Sequence, residues 1–259
     1  MASDFDTAAA TYDTTFSFSE IGKAQRERVY HFLEKEILSQ DHSLHILELN
    51  CGTGEDAQHL TKQGHTVLAT DISEGMIAQA RQKYNDINFA VQDINTIRAT
   101  TFPQQFDLIF SNFGGLNCLS PEQLQSFLQK APQLLKHSGK LCLVIMPKAC
   151  LWERVYFLAK AQFKKAFRRN NKKPVLANVD GVDVPTWYYD PKHLERWTID
   201  TFKVKSIAPI GIAIPPSYLE PFFKNKKGFL KFLKRAETYL TSSSLSRYAD
   251  HYSIILEKR

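Results

Sequence analysis

The stretch that decides the fold is Ile46-Leu47-Glu48-Leu49-Asn50-Cys51-Gly52-Thr53-Gly54-Glu55-Asp56, followed by Val67-Leu68-Ala69-Thr70-Asp71. Ile46 to Leu49 read as a buried strand and Asn50 to Gly54 as a turn. A helix starts at Glu55, and Val67 to Asp71 form a second strand ending on an acid. Glycine lacks a Cβ and tolerates positive φ, so Gly52 and Gly54 let backbone come close to a ligand. Asp71 lies 17 residues after Gly54, about where a strand–helix–strand unit delivers a carboxylate to a ribose diol. The constellation predicts a nucleoside cofactor at this turn.

Two kinds of cofactor use such a unit. Gly52-Thr53-Gly54-Glu55-Asp56-Ala57 satisfies the loose dinucleotide pattern G-x-G-x-x-G/A. Glu48 discriminates, because it is an acid inside an apolar strand just before the turn. A dinucleotide would place phosphate here, which a carboxylate repels. S-adenosylmethionine (SAM) carries an ammonium group and no phosphate. Glu48 thus argues against a nicotinamide oxidoreductase.

The segment resembles the glycine-rich first motif of class I SAM-dependent methyltransferases, [DE]-x-G-x-G-x-G. Glu48 matches the acid, and Gly52 and Gly54 match the second and third glycines. Asn50 replaces the first glycine, and Asn visits positive φ more readily than most residues. The resemblance continues over roughly residues 44–147. Asp71-Ile72 resembles the ribose-binding end of the second strand, and Gln92-Asp93-Ile94 the motif that meets the adenine edge. Phe106 to Asn112 resembles the fourth-strand motif beside the transferred methyl. Leu134 to Leu141 resembles the helix-turn-fifth-strand motif.

The resemblance implies an α/β fold with a Rossmann-like, mostly parallel sheet, an antiparallel last strand and helices on both faces. Strands are expected at about 45–50, 66–70, 88–92, 106–111 and 140–146, with helices at about 20–38, 55–63, 74–84 and 121–136. Residues 149–169 read as one basic helix, and 170–190 as loop or short strands. A helix at 191–198, a strand near 201–208, a basic aromatic helix within 215–247 and a last strand at 251–257 follow. Three segments result: an N-terminal helical segment, 1–43, over the cofactor site; a SAM-binding core, 44–147; and basic cap insertions with the final strands, 148–259.

Length and composition set bounds. The chain's 259 residues suit one large domain, or a core plus a cap. No apolar run reaches the ~18 residues of a membrane span. Met1-Ala2-Ser3-Asp4-Phe5-Asp6 is too polar and acidic for a secretory signal. Cys51, Cys118, Cys142 and Cys150 form no C-x-x-C pair and read as free thiols. The expectation is a cytoplasmic enzyme. His59, His65 and His193 lack partners at ligand spacing, so no metal is expected. The net charge of +6 divides into −6 over residues 1–147 and +12 over 148–259.

The resemblance implies cofactor contacts from Tyr12, Glu48, Asn50, Gly52, Gly54, Asp71, Ile72, Asp93, Ile94 and Asn112. Tyr12 resembles an N-terminal tyrosine that closes over the methionine end of SAM. Arg26 suits either the SAM carboxylate or a solvated helix face. Candidates beside the acceptor are Asn112, Tyr188 and His251, with Trp187, Tyr188 and Tyr189 as an aromatic roof. Ser111-Asn112-Phe113-Gly114 lacks the prolines of the amino methyltransferases of nucleic acids.

The expected reaction is methyl transfer to a small-molecule acceptor, aromatic, lipid-like or anionic, yielding S-adenosylhomocysteine. Alternatives are an RNA methyltransferase and a non-catalytic SAM-binding protein. Two clusters carry the basic charge. One spans Lys160 to Lys173, and the other comprises Lys224, Lys226, Lys227, Lys231, Lys234 and Arg235 among aromatic residues. Such helices suit peripheral contact with an anionic membrane, RNA phosphates as the weaker alternative, or a cap with solvated lysines.

Overall fold

The computed structural model describes residues 5–6, 9, 11–39, 42–179, 181–223 and 225–259. Met1 to Asp4 and Lys224, invoked above, lie outside them. In chain order the strands are β1 (His45–Leu49), β2 (Thr66–Asp71), β3 (Asn88–Val91), β4 (Phe106–Ser111), β5 (Leu135–Ile145), β6 (Val175–Val179), β7 (Val182–Thr186), β8 (Phe202–Ile210) and β9 (His251–Lys258). Seven of them form one sheet in the order β3-β2-β1-β4-β5-β9-β8. The first five in that order run parallel, and β9 lies antiparallel to both β5 and β8. This is the Rossmann-like sheet with an antiparallel last strand that the sequence predicts. β6 and β7 form a separate hairpin.

Helices α1 (Glu20–Leu33), α2 (Glu55–Lys62), α3 (Glu74–Lys83) and α4 (Pro121–Leu134) cover the sheet; α1 runs on as a wider turn over Glu34–Leu38. Strand side chains alternate between faces, so each strand feeds two cores. Leu47, Leu49, Ile109 and Leu143 pack under Phe127 and Leu128 of α4. Ile46, Val67, Leu108 and Val144 pack under Val29 and Leu33 of α1 and Leu60 of α2. Burying a side chain of this size contributes roughly 1.5–3 kcal/mol. Ser19, Ser73 and Ser120 cap α1, α3 and α4, each accepting a backbone N–H of the first turn.

The region after Pro147 departs from the sequence reading at one place. Residues 149–169 are not one helix. They form α5 (Leu151–Ala159), α6 (Phe163–Ala166) and a 3₁₀ turn over Arg168–Asn170. Ala161 breaks the run at φ +55°, a left-handed conformation that ends a right-handed helix. The reversal lets Arg168 and Arg169 fold back onto Glu153 of α5, which is 1% exposed. The remaining helices are α7 (Pro191–Thr198), α8 (Glu220–Phe223) and α9 (Lys227–Glu237).

A third core joins this region to α1: Ile21 and Ala24 meet Ile214, Leu219, Phe223, Leu230 and Leu233. Glu237 locks α9 in place. Its Oε1 accepts from the N–H groups of Gly211 (2.7 Å) and Ile212 (3.2 Å), and Oε2 from those of Ala213 (2.6 Å) and Ile214 (3.0 Å). Glu237→Gln replaces one acceptor oxygen with an amide that faces backbone donors. It should cost about 2–4 kcal/mol, lowering Tm by roughly 5–15 °C. Thermal denaturation checks this; a shift below about 1 °C would refute the assignment.

Candidate functional site

The carboxyl ends of β1, β2 and β4 converge on the turn after β1, where an open parallel sheet binds ligands. Asn50, Gly52 and Gly54 all adopt positive φ (+55°, +53° and +87°). Asn50 therefore does occupy the conformation of the glycine it replaces. Two glycines are required by crowding. A Cβ at Gly115 would lie 2.5 Å from Asn50 Cβ, and one at Gly54 would lie 2.8 Å from Phe89 Cζ.

Asp71 ends β2 and braces the turn. Its Oδ2 accepts the N–H of Gly52 at 2.9 Å and its Oδ1 that of Ser73 at 2.9 Å. Burial lifts the carboxyl above its usual range, and those N–H groups oppose the shift. Each oxygen keeps a further lone pair for a ligand hydroxyl. Asp93 lies beyond β3 and caps a short turn through Asn95 N–H at 2.8 Å. Ile72, just after β2, is exposed, and Ile94, beyond β3, is buried.

Glu48 is the exceptional group. It is 1% exposed, and its Oε2 has no hydrogen-bond partner. Burial, reinforced by Asp56 and only partly offset by Arg26, pushes its carboxyl well above the usual range. Arg26 does not neutralise it, because Arg26 Nε pairs with Asp56 Oδ1 at 3.2 Å. The Arg26 side chain is 12% exposed, which rules out the solvated helix face. Asp56 also accepts from the Tyr30 hydroxyl (2.6 Å) and from Asn112 Nδ2 (3.1 Å).

The N-terminal segment closes over the turn. A Cβ at Gly52 would meet Tyr12 Cε1 at 3.7 Å. Burial raises the Tyr12 phenol well above its usual value, keeping it neutral. Asp13 pins the segment by accepting from Thr53 Oγ1 (2.5 Å) and Lys83 Nζ (2.6 Å), and Asp6 Oδ1 accepts from Ser73 Oγ (2.5 Å).

Phe113, which sequence reasoning missed, connects these parts. It holds φ +46°, an uncommon state for an aromatic residue that marks stored strain. Its ring meets Phe16 at 5.4 Å and His251 at 5.7 Å, and the Arg26 guanidinium lies 5.2 Å from its centre. The available signal was the Gly114-Gly115 pair straight after the fourth strand.

The acceptor-side candidates separate. Asn112 is 6% exposed and spends its amide on Asp56 and on Phe113 N–H. Tyr189 belongs to the core and donates to Leu119 O at 2.5 Å, and Trp187 is partly buried against that core. Tyr188 is buried with the Arg169 guanidinium 5.1 Å from its ring centre. His251 stands at the start of β9. Its Nδ1 lies 3.3 Å from Asp250 Oδ2, and its Nε2 would be 3.6 Å from a Cβ on Gly114. Asp250 is also held by Arg169 Nη2 at 2.7 Å and Gln25 Nε2 at 3.1 Å. Burial opposes its charge, but His251 and Arg169 hold the carboxyl well below its usual range.

Comparison with known proteins agrees with this geometry. Residues 46–139 match the "Methyltransferase domain" family. A malonyl-[acyl-carrier protein] O-methyltransferase from Bacillus cereus is 34% identical over 144 residues, covering 53% of this chain and 49% of that protein. The chain thus spans about half the length of that relative. A demethylmenaquinone methyltransferase from Paenarthrobacter aurescens is 25% identical over 209 residues, covering 77% of each chain. In fold, magnesium protoporphyrin IX methyltransferase from Synechocystis, with SAH bound, gives a TM-score of 0.56 at 16% identity over 92% of this chain and 84% of that one. Sheet order, turn and family match agree on a methyltransferase-type domain over residues 46–139. The family match runs from β1 into β5, over residues 46–139.

Glu48 yields a pH prediction. Its raised value means that the folded chain holds a proton that the unfolded chain has released. Stability without ligand therefore falls as pH rises from the ordinary carboxyl range through the raised value. Glu48→Gln removes this loss. Its Tm should exceed that of wild type near pH 7, and the gap should close at about pH 4. A wild type at least as stable near pH 7 would contradict it.

Proposed function

We propose that the chain transfers the methyl group of SAM to a small-molecule acceptor, aromatic, lipid-like or anionic. The observation that carries the reading is the buried Glu48 carboxylate whose Oε2 lacks a partner. Such a group is costly unless a cation meets it, and the ammonium of SAM is a cation of the right chemistry. Asp71 would hold the ribose hydroxyls, and Asp93, Ile72 and Ile94 the adenine. Asn50, Gly52 and Gly54 would offer backbone, and Tyr12 would cover the methionine end. In the proposed domain plan, 1–43 shields the site, 44–147 holds SAM, and 148–259 supplies the acceptor side.

Bound SAM supplies a sulfonium leaving group for in-line displacement. The chain's task is alignment and exclusion of water, which can contribute ~7–11 kcal/mol to lowering the barrier. Tyr12, Phe16 and Phe113 form the apolar shield. His251 is the candidate base among Asn112, Tyr188 and His251. With Nδ1 directed at Asp250, its Nε2 is left to take a proton from an acceptor near Gly114. An acceptor hydroxyl or phenol that must lose a proton fits such a base.

Methyl-labelled SAM incubated with the chain and fractionated cell extract tests the reading. Label should enter the small-molecule fraction. His251→Asn should lower the rate about 10²-fold or more while leaving SAM affinity unchanged. Label confined to RNA would refute the small-molecule acceptor, and an unaltered rate in the variant would refute the base.

A further inference from the structure

The basic half carries helices whose apolar side faces solvent. On α5, Glu153 is buried, while Leu151, Val155 and Leu158 point away from the core, with Val155 58% exposed. A surface helix of a globular domain normally shows the reverse order. On α9, Leu230 and Leu233 are buried and Phe229 and Phe232 are outside, Phe232 at 63%. The two helices are not isolated from each other. Tyr218 contacts Tyr156 and Phe157 of α5 at 6.2 and 6.4 Å, and Trp152 of α5 contacts Phe223 of α8 at 6.0 Å. Phe223 stacks on Phe229, and Phe229 on Phe232. The exposed apolar side chains of α5 and α9 thus flank one shared core that contains the buried Phe223, and exposed apolar groups gathered in this way mark an interaction site.

Its charge is one-sided. Each acid on α5, α6, α8 and α9 is turned to a partner: Glu153 to Arg168 and Arg169, Glu220 to the N–H groups of Glu20 and Ile21, Glu237 to the Gly211–Ile214 backbone. Among the described residues of these helices the remaining charged side chains are cations, one of which, Lys234, pairs with the exposed Glu27 of α1. Lysines lie on the aromatic rings: Lys226 Nζ is 3.4 Å from the Phe222 ring centre and Lys160 Nζ 4.3 Å from that of Tyr156. Long basic side chains over apolar groups suit a boundary where rings enter a hydrocarbon layer and ammonium groups meet anionic headgroups.

We propose that α5, α6, α8 and α9 form a docking face for an anionic lipid bilayer. Aliphatic Leu151, Val155 and Leu158 favour lipid over RNA, since they gain nothing from phosphodiesters and are poor stacking platforms. Among the described residues no helix is long and apolar enough to cross a membrane, so the contact is peripheral. It is independent of the cofactor site, and SAM binding serves as a separate readout.

Sedimentation of the full chain with vesicles tests this. Wild type should bind phosphatidylglycerol-containing vesicles at least ten-fold better than pure phosphatidylcholine, and high salt should release it. Phe229→Glu with Phe232→Glu should lose that binding ten-fold or more at unchanged Tm and SAM affinity. If that variant unfolds, Val155→Glu with Leu158→Glu on α5 replaces it and should show the same loss. Ile199→Glu, an exposed site at the end of α7, should bind as wild type. Absence of vesicle binding, equal binding to neutral vesicles, full retention in a folded variant, or salt-sensitive RNA binding without vesicle binding would each overturn the proposal.

Discussion

A carboxylate without a partner, inside a strand, is the constraint around which the site is built. Glu48 sits on the α1–α2 face of β1, where its neighbours are apolar or already engaged. The nearby cation is taken: Arg26 pairs with Asp56, which also collects Tyr30 and Asn112. That four-residue cluster ties α1, α2 and the loop after β4 together, and it leaves Glu48 charged only at a cost. Burying an unpaired charge is among the most expensive acts in folding. In the proposed function a cationic ligand meets this group and recovers the cost on binding.

The second constraint is backbone conformation. Asn50, Gly52 and Gly54 take positive φ within five residues, and Phe113 does so across the site. Asp71 holds the first group in place through Gly52 N–H, so one carboxylate both shapes the turn and offers lone pairs to a ligand. Phe113 is held by contacts on three sides, from Phe16 of the N-terminal segment, from α1 and from β9. Strain kept by independent contacts is pre-organisation: the site needs little rearrangement to receive its cofactor.

Much of the fold was legible because it rests on short-range patterns. The five parallel strands follow from apolar runs bounded by glycine and acid, and β4 at Phe106–Ser111 and α7 at Pro191–Thr198 match expectation to the residue. Glu48, Asn50 and Asp71 were legible for the same reason, since their meaning comes from their place relative to one turn. What escaped depends on contacts distant in sequence. The helix expected over 149–169 breaks because Arg169 reaches Asp250, 81 residues away, as well as Glu153. Arg26 has the sequence context of a surface residue, yet Asp56 of α2 draws it in and buries it. Asp250 had no local pattern to announce it, because its partners Arg169 and Gln25 lie 81 and 225 residues away in sequence.

The most direct measurement is calorimetric titration of SAM and of methylthioadenosine, which lacks the amino-acid end, into wild type and Glu48→Gln. Running it in buffers of different ionisation enthalpy also counts protons. If Glu48 is the ammonium seat, SAM binds wild type with proton release, and the variant loses SAM affinity at least ten-fold, about 1.4 kcal/mol. Methylthioadenosine then binds both proteins equally. Equal SAM affinity in the two proteins, or no SAM binding by folded wild type, would contradict the account.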